Sequence, residues 1–573
     1  MYLMTAKKKV IALIAALLVI AILLVVIFVV PKLTGGTDTG DGNPIMEIGT
    51  SDYLPNDGDY DDGGSADAQH LITFTSGGIT AVGASVSGKT VTVQDEGIFS
   101  VSGTNGNAQI IIDAKNKTVR LIFDGLDLSC LTSAPVYIKA AQKVIITLKA
   151  ETQNRLSDTA ATVKDSDGEP SAALFAKSDL TINGTGTLTV AGNSNNAIQS
   201  KDKLVIIDSV LKITSVDDGI IGKDSLYAEN AAINITSTGD GMRSTNDTDT
   251  NAGILALIGG TYTVVSGTDA LQAAKHVLIT GGVVNLRSGG GSSKTSYTAS
   301  AKGIKGGVGI TVNSGDITVD SADDCIHSNN SLAVYGGKLT LSSGDDGIHA
   351  DTVIKITAGE IAISKSYEGI ETCDLTITGG KLTVTASDDG INIAGGADFS
   401  ASNRPGSGSF NSTVYRAVIS GGEIYINSSG DGFDSNGGTI TMSGGLLIVD
   451  GPLNSGDGAI DYDGTFTVTG GTVLAVGASG AQSPTSNSVY GFNASIGSAA
   501  SGILEIKDSS GKVIYAYTTK KQYSSVVFLS PNLTKGTYTI YSNGASKATV
   551  TISSYLTSSG GSMPGGNGGK RPR

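Results

Sequence analysis

The sequence predicts an all-β protein, a right-handed parallel β-helix whose coils take about 22 residues each. Three observations predict it. First, a short motif of an acidic residue, Gly and an apolar residue, degenerate in some copies, recurs with its pre-glycine position at Asp218, Asp240, Asp269, Lys302, Asp324, Asp346, Glu368, Asp389, Asp431 and Asp457. The spacings are 22, 29, 33, 22, 22, 22, 21, 42 and 26. Second, the runs between copies alternate apolar and polar residues over only three to five positions, as in Leu332-x-Val334 and Leu339-x-Leu341, and glycines cut them. Third, Gly makes up 79 of 573 residues, about 14% against a usual ~7%. The Gly, Asp, Asn and Thr content disfavours helix, while the Val, Ile and Thr between suit strands.

From the amino terminus, residues 1–9 form a basic end with Lys7, Lys8 and Lys9, expected to stay cytoplasmic. Residues 10–30 are uncharged and as a helix would span about 31 Å, matching a bilayer core. No clear small-x-small site follows Val30, so an uncleaved transmembrane anchor is expected, with a cleaved signal as the alternative. The rest of the chain is then extracellular. Residues 31–70, rich in Gly and Asp, read as a flexible linker. The run Asp57-Gly58-Asp59-Tyr60-Asp61-Asp62-Gly63 resembles a calcium loop with its glycine one place late and Ala68 where the distal Glu belongs.

Residues 71–500 carry the solenoid. Its irregular beginning (Val91-x-Val93, Ile110 to Ile112, Val119 to Phe123, Val144 to Leu148) caps the first coils, and Asn196 and Ala172 to Phe175 are degenerate early copies. In-register stacking places Leu332 near Ile354 and Leu375, and Leu339 near Ile361 and Leu382. Ser288 to Ala301 and Gly395 to Val414 become protruding loops that could wall a groove. Residues 501–556 hold longer strands and form a C-terminal β cap covering an exposed edge; residues 557–573, Gly-rich and basic at the end, form a disordered tail.

The balance of 39 Lys and Arg against 53 Asp and Glu gives −14, which repels phosphate backbones and excludes a nucleic-acid partner. A monomer is expected. Cys130, Cys325 and Cys373 are too few and scattered for a disulfide framework or a thiolate metal site and read as small buried hydrophobes.

Stacked coils bring equivalent turn acids to about 4.8 Å, where two carboxylates repel by roughly 0.9 kcal/mol in water and roughly 3.5 kcal/mol at a dielectric of 20. Cations, raised pKa values or hydrogen bonds must offset this. One Asp before Gly needs only an Asx turn. The doubled acids exceed that need, which points to Ca2+ held by Asp217, Asp218, Asp240, Asp323, Asp324, Asp345, Asp346, Glu368, Asp388, Asp389, Asp431, Asp434 and Asp457. Two positions after each motif glycine runs a second column: Ile221, Arg243, Gln272, Lys305, His327, His349, Glu371, Asn392 and Asp434. Lys305, His327, His349 and Glu371 are its catalytic candidates, a base, an acid and a cation suited to cleaving acidic sugars. A solvated or sugar-contacting polar face is the simpler expectation for this column.

Several segments carry a family resemblance: Gln109-Ile110-Ile111-Ile112-Asp113-Ala114, Ala172-Ala173-Leu174-Phe175-Ala176-Lys177-Ser178-Asp179-Leu180-Thr181-Ile182-Asn183-Gly184, Val216-Asp217-Asp218-Gly219-Ile220 and Gly456-Asp457-Gly458-Ala459-Ile460-Asp461-Tyr462-Asp463-Gly464. From about Leu71 to Ile552 the chain resembles bacterial cell-surface carbohydrate-binding β-helix proteins, similar in shape to pectate lyases. The resemblance implies binding of cellulose or polygalacturonate with bound calcium at the matching acidic turns, with no established activity. Ala270, Lys302 and Cys325 depart from the pattern. The Gly-His-Gly and Arg-Ile-Lys motifs of polygalacturonases are absent. A carbohydrate-binding surface protein is therefore the leading expectation, with a pectate lyase or polygalacturonase-like enzyme and a structural adhesin as alternatives.

Overall fold

The computed structural model describes residues 51–61, 68–159, 169–294, 300–394, 415–454, 456–478 and 481–559. The expected cytoplasmic end, the expected span at 10–30 and most of the linker lie outside them. Among the described residues, no helix is long and apolar enough to cross a membrane. The described residues are all-β, 59% strand and 1% helix. Most strands join one large sheet with predominantly parallel pairing, and four C-terminal strands form a second.

Pairing follows a regular rule. Lys203–Ile207 pairs in parallel with Ser225–Glu229, the strand three places later, and Val210–Ser215 pairs likewise with Ala232–Ser237. Asn196–Ser200 pairs with Ile220–Gly222. The chain thus visits three ladders in turn and returns to each with every repeat. Register keeps equal positions together: Leu332 opposes Ile354 and then Leu375, while Leu339 opposes Ile361 and then Leu382. The early segment Ala172–Ala176 already pairs with Asn196–Ser200.

The second ladder shows why these residues form strands. In Val283–Ser288 and Lys381–Ala386 exposed and buried positions strictly alternate, the period of a half-buried strand. The inward Val, Leu and Ile residues join one apolar cluster that runs from Ile72 to Leu529. The motif glycines are required by close approach. A Cβ at Gly369 would lie 2.2 Å from both the Gly390 carbonyl oxygen and Val384 Cγ1, contacts that any side chain would have to break.

Both ends are antiparallel. His70–Thr75 pairs with Gly78–Ala81 at the start. Near the C-terminus, Tyr523–Leu529 pairs antiparallel with Thr472–Gly477 and with Gly491–Ala499, ending the parallel run. Gly502–Asp508, Val513–Thr519, Gly536–Ser542 and Ala545–Ile552 form the separate four-stranded sheet. The three cysteines are buried and none of them forms a disulfide.

Two expectations are corrected here. Residues 51–61, read as flexible linker, dock against the strands. The short helix Asp57–Tyr60 has a capping box from Asn56 and Asp59, and the Asp59 side chain is fully buried in an ion pair with Lys143, accepting a bond from Thr181 Oγ1. Arg120 Nη2 holds Asp61 Oδ2 at 3.0 Å, Tyr60 donates to Glu229 at 2.7 Å, and Tyr53 packs on Tyr227. Asp59 and Asp61 of the suspected calcium loop are thus answered by protein cations. The tail begins later than expected, because Leu556–Ser559 pairs with Gly491–Ala499.

Candidate functional site

The turn acids form one continuous column, built by the backbone. From Gly219 to Gly390 the motif glycine amides donate to the carbonyl of the acid one repeat on, as in Gly219 to Asp240 (2.8 Å), Gly347 to Glu368 (2.9 Å) and Gly390 to Asp431 (2.9 Å), while Gly432 donates to the Gly458 carbonyl (2.9 Å). The carboxylates run the other way. Asp218 Oδ1 accepts from the Asp240 amide (2.7 Å), Asp240 Oδ1 from Asp269 (3.0 Å), and Asp269 Oδ1 from Lys302 (2.8 Å). Asp324 then serves Asp346 (3.0 Å), Asp346 serves Glu368 (3.1 Å), and Asp389 serves Asp431 (2.7 Å). These six aspartates therefore cap the next turn, and their charge-assisted bonds offset part of the repulsion between repeats.

A column of serines that sequence reasoning missed closes the same turn. Ser215, Ser237, Ser266, Ser321 and Ser428 each donate to the carbonyl two residues on, at 2.7 to 3.3 Å. Their signal was a Ser that recurs at the last position of the second-ladder strand. Before two of the acids, at Gly239 and Gly430, an added Cβ would lie about 2.6 Å or less from both carboxylates of the preceding Asp pair.

The second column pairs in register from Ile221 to Asp434 without a break, so Lys305, His327, His349 and Glu371 are neighbours on successive coils. It is not the solvated face expected. His327 and His349 are 4% and 3% exposed and stack at 4.8 Å. Their nitrogens bond protein groups: His327 Nδ1 to Asp324 Oδ2 (2.8 Å) and Nε2 to Asn329 Oδ1 (3.0 Å). Lys305 lies 3.4 Å from Asp269 and donates to Ser300. Lys305 and Glu371 are the half-buried members of the four, with side chains 26% and 23% exposed.

This second column supplies cations to the first. Arg243 bridges Asp218 Oδ2 (2.8 Å) and Asp240 Oδ2 (3.3 Å). Lys302, standing in the acid column itself, reaches Asp323 Oδ1 (3.0 Å) and Asp324 Oδ2 (2.7 Å), with all three side chains buried. Burial alone would raise the Asp324 carboxyl, but Lys302 and His327 hold it well below the usual carboxylate range. At Asp218, Asp240, Asp323 and Asp324 the expected calcium position is thus filled by a guanidinium or an ammonium, and the donor set does not fit a metal as well. Within the doubled acids the members differ: Asp217 is exposed and Asp345 and Asp388 half-buried, whereas Asp218, Asp346 and Asp389 are buried.

Beyond Glu371 the column turns wholly acidic or neutral. Oxygens of Asp389, Asp431 and Asp434 lie within 4.8 Å of one another. Among the described residues, no basic side chain forms an ion pair with Asp431 or Asp434. Burial, then neighbouring acids, push both carboxyls up to about 7. This set offers only hard oxygen donors, the chemistry a calcium ion requires. Asp457 is half-buried and accepts from Asn454 (2.8 Å), and Asp461 continues the second column beside it. Parts of the expected groove walls, residues 295–299 and 395–414, lie outside the described residues. Tyr335 is exposed, and a stacked pair, Tyr490 and Tyr555 (4.9 Å), offers aromatic faces near the C-terminal end.

A family model described as carbohydrate-binding domain-containing protein matches residues 87–347. A relative from Acetivibrio thermocellus, also a carbohydrate-binding domain-containing protein, is 37% identical over 211 residues, covering 36% of this chain and 74% of the relative. A solved structure of a polysaccharide lyase-like protein from C. thermocellum, a gadolinium derivative, is 25% identical, covers 50% of this chain and 96% of that one, and superposes with a TM-score of 0.35.

Proposed function

Because the chain belongs to the carbohydrate-binding domain-containing family, we propose that it is a surface-anchored protein that binds acidic plant-wall polysaccharide, polygalacturonate above all, through calcium held at the C-terminal end of its acid column. The ladders that recur every third strand support a right-handed parallel β-helix as the scaffold. The apolar stretch at 10–30 would tether it, leaving the β domain outside the cell.

One observation carries the reading: Asp389, Asp431 and Asp434 gather oxygens within 4.8 Å while Asp431 and Asp434 have no basic partner among the described residues. Calcium there would neutralise the cluster and accept a uronate carboxylate as a further oxygen ligand. This chain's own residues would set the geometry. Asp389 caps the Asp431 amide, and Asn436 donates to both Asp434 Oδ2 (2.5 Å) and Asn392 Oδ1 (3.1 Å), fixing the side chains that face the ion. Tyrosine faces would supply ring contacts, since the sequence has no Trp.

Retention of the purified chain on polygalacturonate, with calcium and with chelator, tests this. Calcium-dependent retention that Asp431→Asn abolishes is expected. Equal retention in calcium and chelator removes the bridging role, and no retention on any acidic glycan removes the substrate class.

A further inference from the structure

Asp346, His349 and Glu371 meet on two adjacent coils in an arrangement different from the all-oxygen cluster. His349 Nδ1 lies 3.4 Å from Asp346 Oδ2 and 3.1 Å from Glu371 Oε2, and the three donor atoms fall within 4.8 Å of one another. On the far side of the ring, Nε2 lies 3.2 Å from Asp351 Oδ1. A carboxylate can only accept, so the Nε2 hydrogen belongs to the bond with Asp351. In the neutral imidazole Nδ1 then carries a lone pair, aimed at two carboxylate oxygens. Charged, the ring would offer those two oxygens one Nδ1 hydrogen to share; neutral, it joins them as a third electron-rich atom converging on one point.

The neighbouring coil shows how the protein resolves the same conflict when it uses its own cation. There Lys302 reaches Asp324 Oδ2 at 2.7 Å beside His327. No lysine or arginine forms an ion pair with Asp346 or Glu371 among the described residues. Glu368 adds further acid, and its carboxyl is driven well above the usual range, first by burial and then by Glu371 and Asp346.

We propose that Asp346 Oδ2, His349 Nδ1 and Glu371 Oε2 form a binding site for a first-row divalent transition ion such as zinc, oriented by Asp351 and open on the side where Glu371 meets solvent. The distances suit that ion. Four donors placed tetrahedrally about 2.0 to 2.1 Å from zinc stand about 3.3 Å from each other, which the observed 3.1 and 3.4 Å bracket. Calcium, at about 2.3 to 2.6 Å and with six or more oxygens, wants a wider site and no imidazole. A carboxylate on the second nitrogen of a ligating histidine fixes its tautomer and raises its basicity, the part Asp351 plays. The three protein ligands leave a fourth position for water or a sugar oxygen. His327, stacked on His349, walls the opposite side.

Titration of the purified full-length chain with cobalt(II), followed by its visible ligand-field absorption, tests the assignment, with zinc competition as a second readout. One equivalent of cobalt should give a tetrahedral-type spectrum that zinc displaces. Glu371→Gln, at a half-exposed position that keeps the fold, should abolish that spectrum, as should His349→Gln. Asp351→Asn should weaken binding by about 10-fold to 100-fold. Asp431→Asn should leave the spectrum intact, which separates this site from the proposed calcium cluster. A chain that binds no cobalt, or a spectrum that survives both Glu371→Gln and His349→Gln in variants with wild-type circular dichroism, overturns the proposal. Loss of calcium-dependent glycan retention alone leaves it standing, because it uses other coils and a nitrogen donor.

Discussion

The two ends of the acid column answer the same electrostatic problem in opposite ways. Between Asp218 and Asp324 the protein builds its own cations into the stack, Arg243 across two coils and Lys302 within the column. Between Asp389 and Asp461 the second column supplies Asn392 and Asp434 where the first half had Arg243, Lys305 and His327. Backbone amides cap the acids at both ends, so capping is the constant and the cation is the variable. A column closed by side chains is a structural element. A column left open to an outside cation can respond to one, and this difference separates scaffold from candidate site.

The comparison breaks most directly at Lys302. Lys302→Met leaves Asp323 and Asp324 buried beside each other without their ammonium, and should destabilise the chain by about 3 to 5 kcal/mol, read from urea unfolding in chelator. Added calcium should recover part of that loss, because the variant turns the closed half into an imitation of the open one. Unchanged stability would mean that the built-in cation does not distinguish the halves.

Metal removal and pH probe the open end. In chelator, Asp431 and Asp434 titrate near 7 when folded against 3.8 for an ordinary Asp. A folded pKa above the unfolded one favours the protonated native state, so their stabilisation is complete below about pH 4 and is lost as pH rises through about 7. Thermal stability of the metal-free chain should therefore fall from pH 5 to pH 8, by on the order of 3 kcal/mol for the coupled pair. Saturating calcium should flatten that slope. A melting temperature independent of pH in chelator would place no buried charge problem there.

Paired substitutions sharpen the contrast at smaller scale. At pH 8 in chelator, Asp431→Asn removes an uncompensated charge and should stabilise by about 1 to 2 kcal/mol, abolishing the calcium response. Asp218→Asn removes the shorter of Arg243's two carboxylate contacts, leaving Asp240 as its partner, and should destabilise by about 1 kcal/mol with no change in calcium response. Equal signs at the two positions would erase the distinction.

Much of this was legible in the chain because parallel ladders demand equal offsets. A strand that pairs in register with its successor must repeat its pattern at the coil length, so the 22-residue interval and the stacking of Leu332, Ile354 and Leu375 could be read directly. The order of the second column from Ile221 to Asp434 followed from the same rule. Burial did not, because polar identity alone suggested an outward face, whereas His327 and His349 are covered and matched to carboxylates on their own and neighbouring coils. The cation at Lys302 looked like a departure from the motif and is instead its internal counter-ion. The docking of residues 51–61 was invisible for a different reason. Asp61 meets Arg120 and Asp59 meets Thr181 across 59 and 122 residues, distances over which a local polar and Gly-rich pattern carries no information.

That docked segment extends the comparison to a third place and gives its mildest test. Asp59 is a buried acid with a protein cation, Lys143, and together with Thr181 this holds its carboxyl below the ordinary value although burial alone would raise it. It belongs with the closed half of the column. Protection of residues 51–61 in hydrogen exchange should then be the same in calcium and in chelator. The peripheral anchor is Tyr60, whose hydroxyl reaches Glu229 at an exposed position. Tyr60→Phe should loosen the segment by about 1 kcal/mol or less, seen as faster exchange there and nowhere along the acid column. Calcium-dependent protection would instead mean that these acids use a metal after all, and that closure by Lys143 and Arg120 is not what fixes the segment. Because Asp59 and Asp431 differ in whether the chain carries their counter-ion and agree in being largely withdrawn from water, the pair isolates the counter-ion as the cause of any difference in metal response.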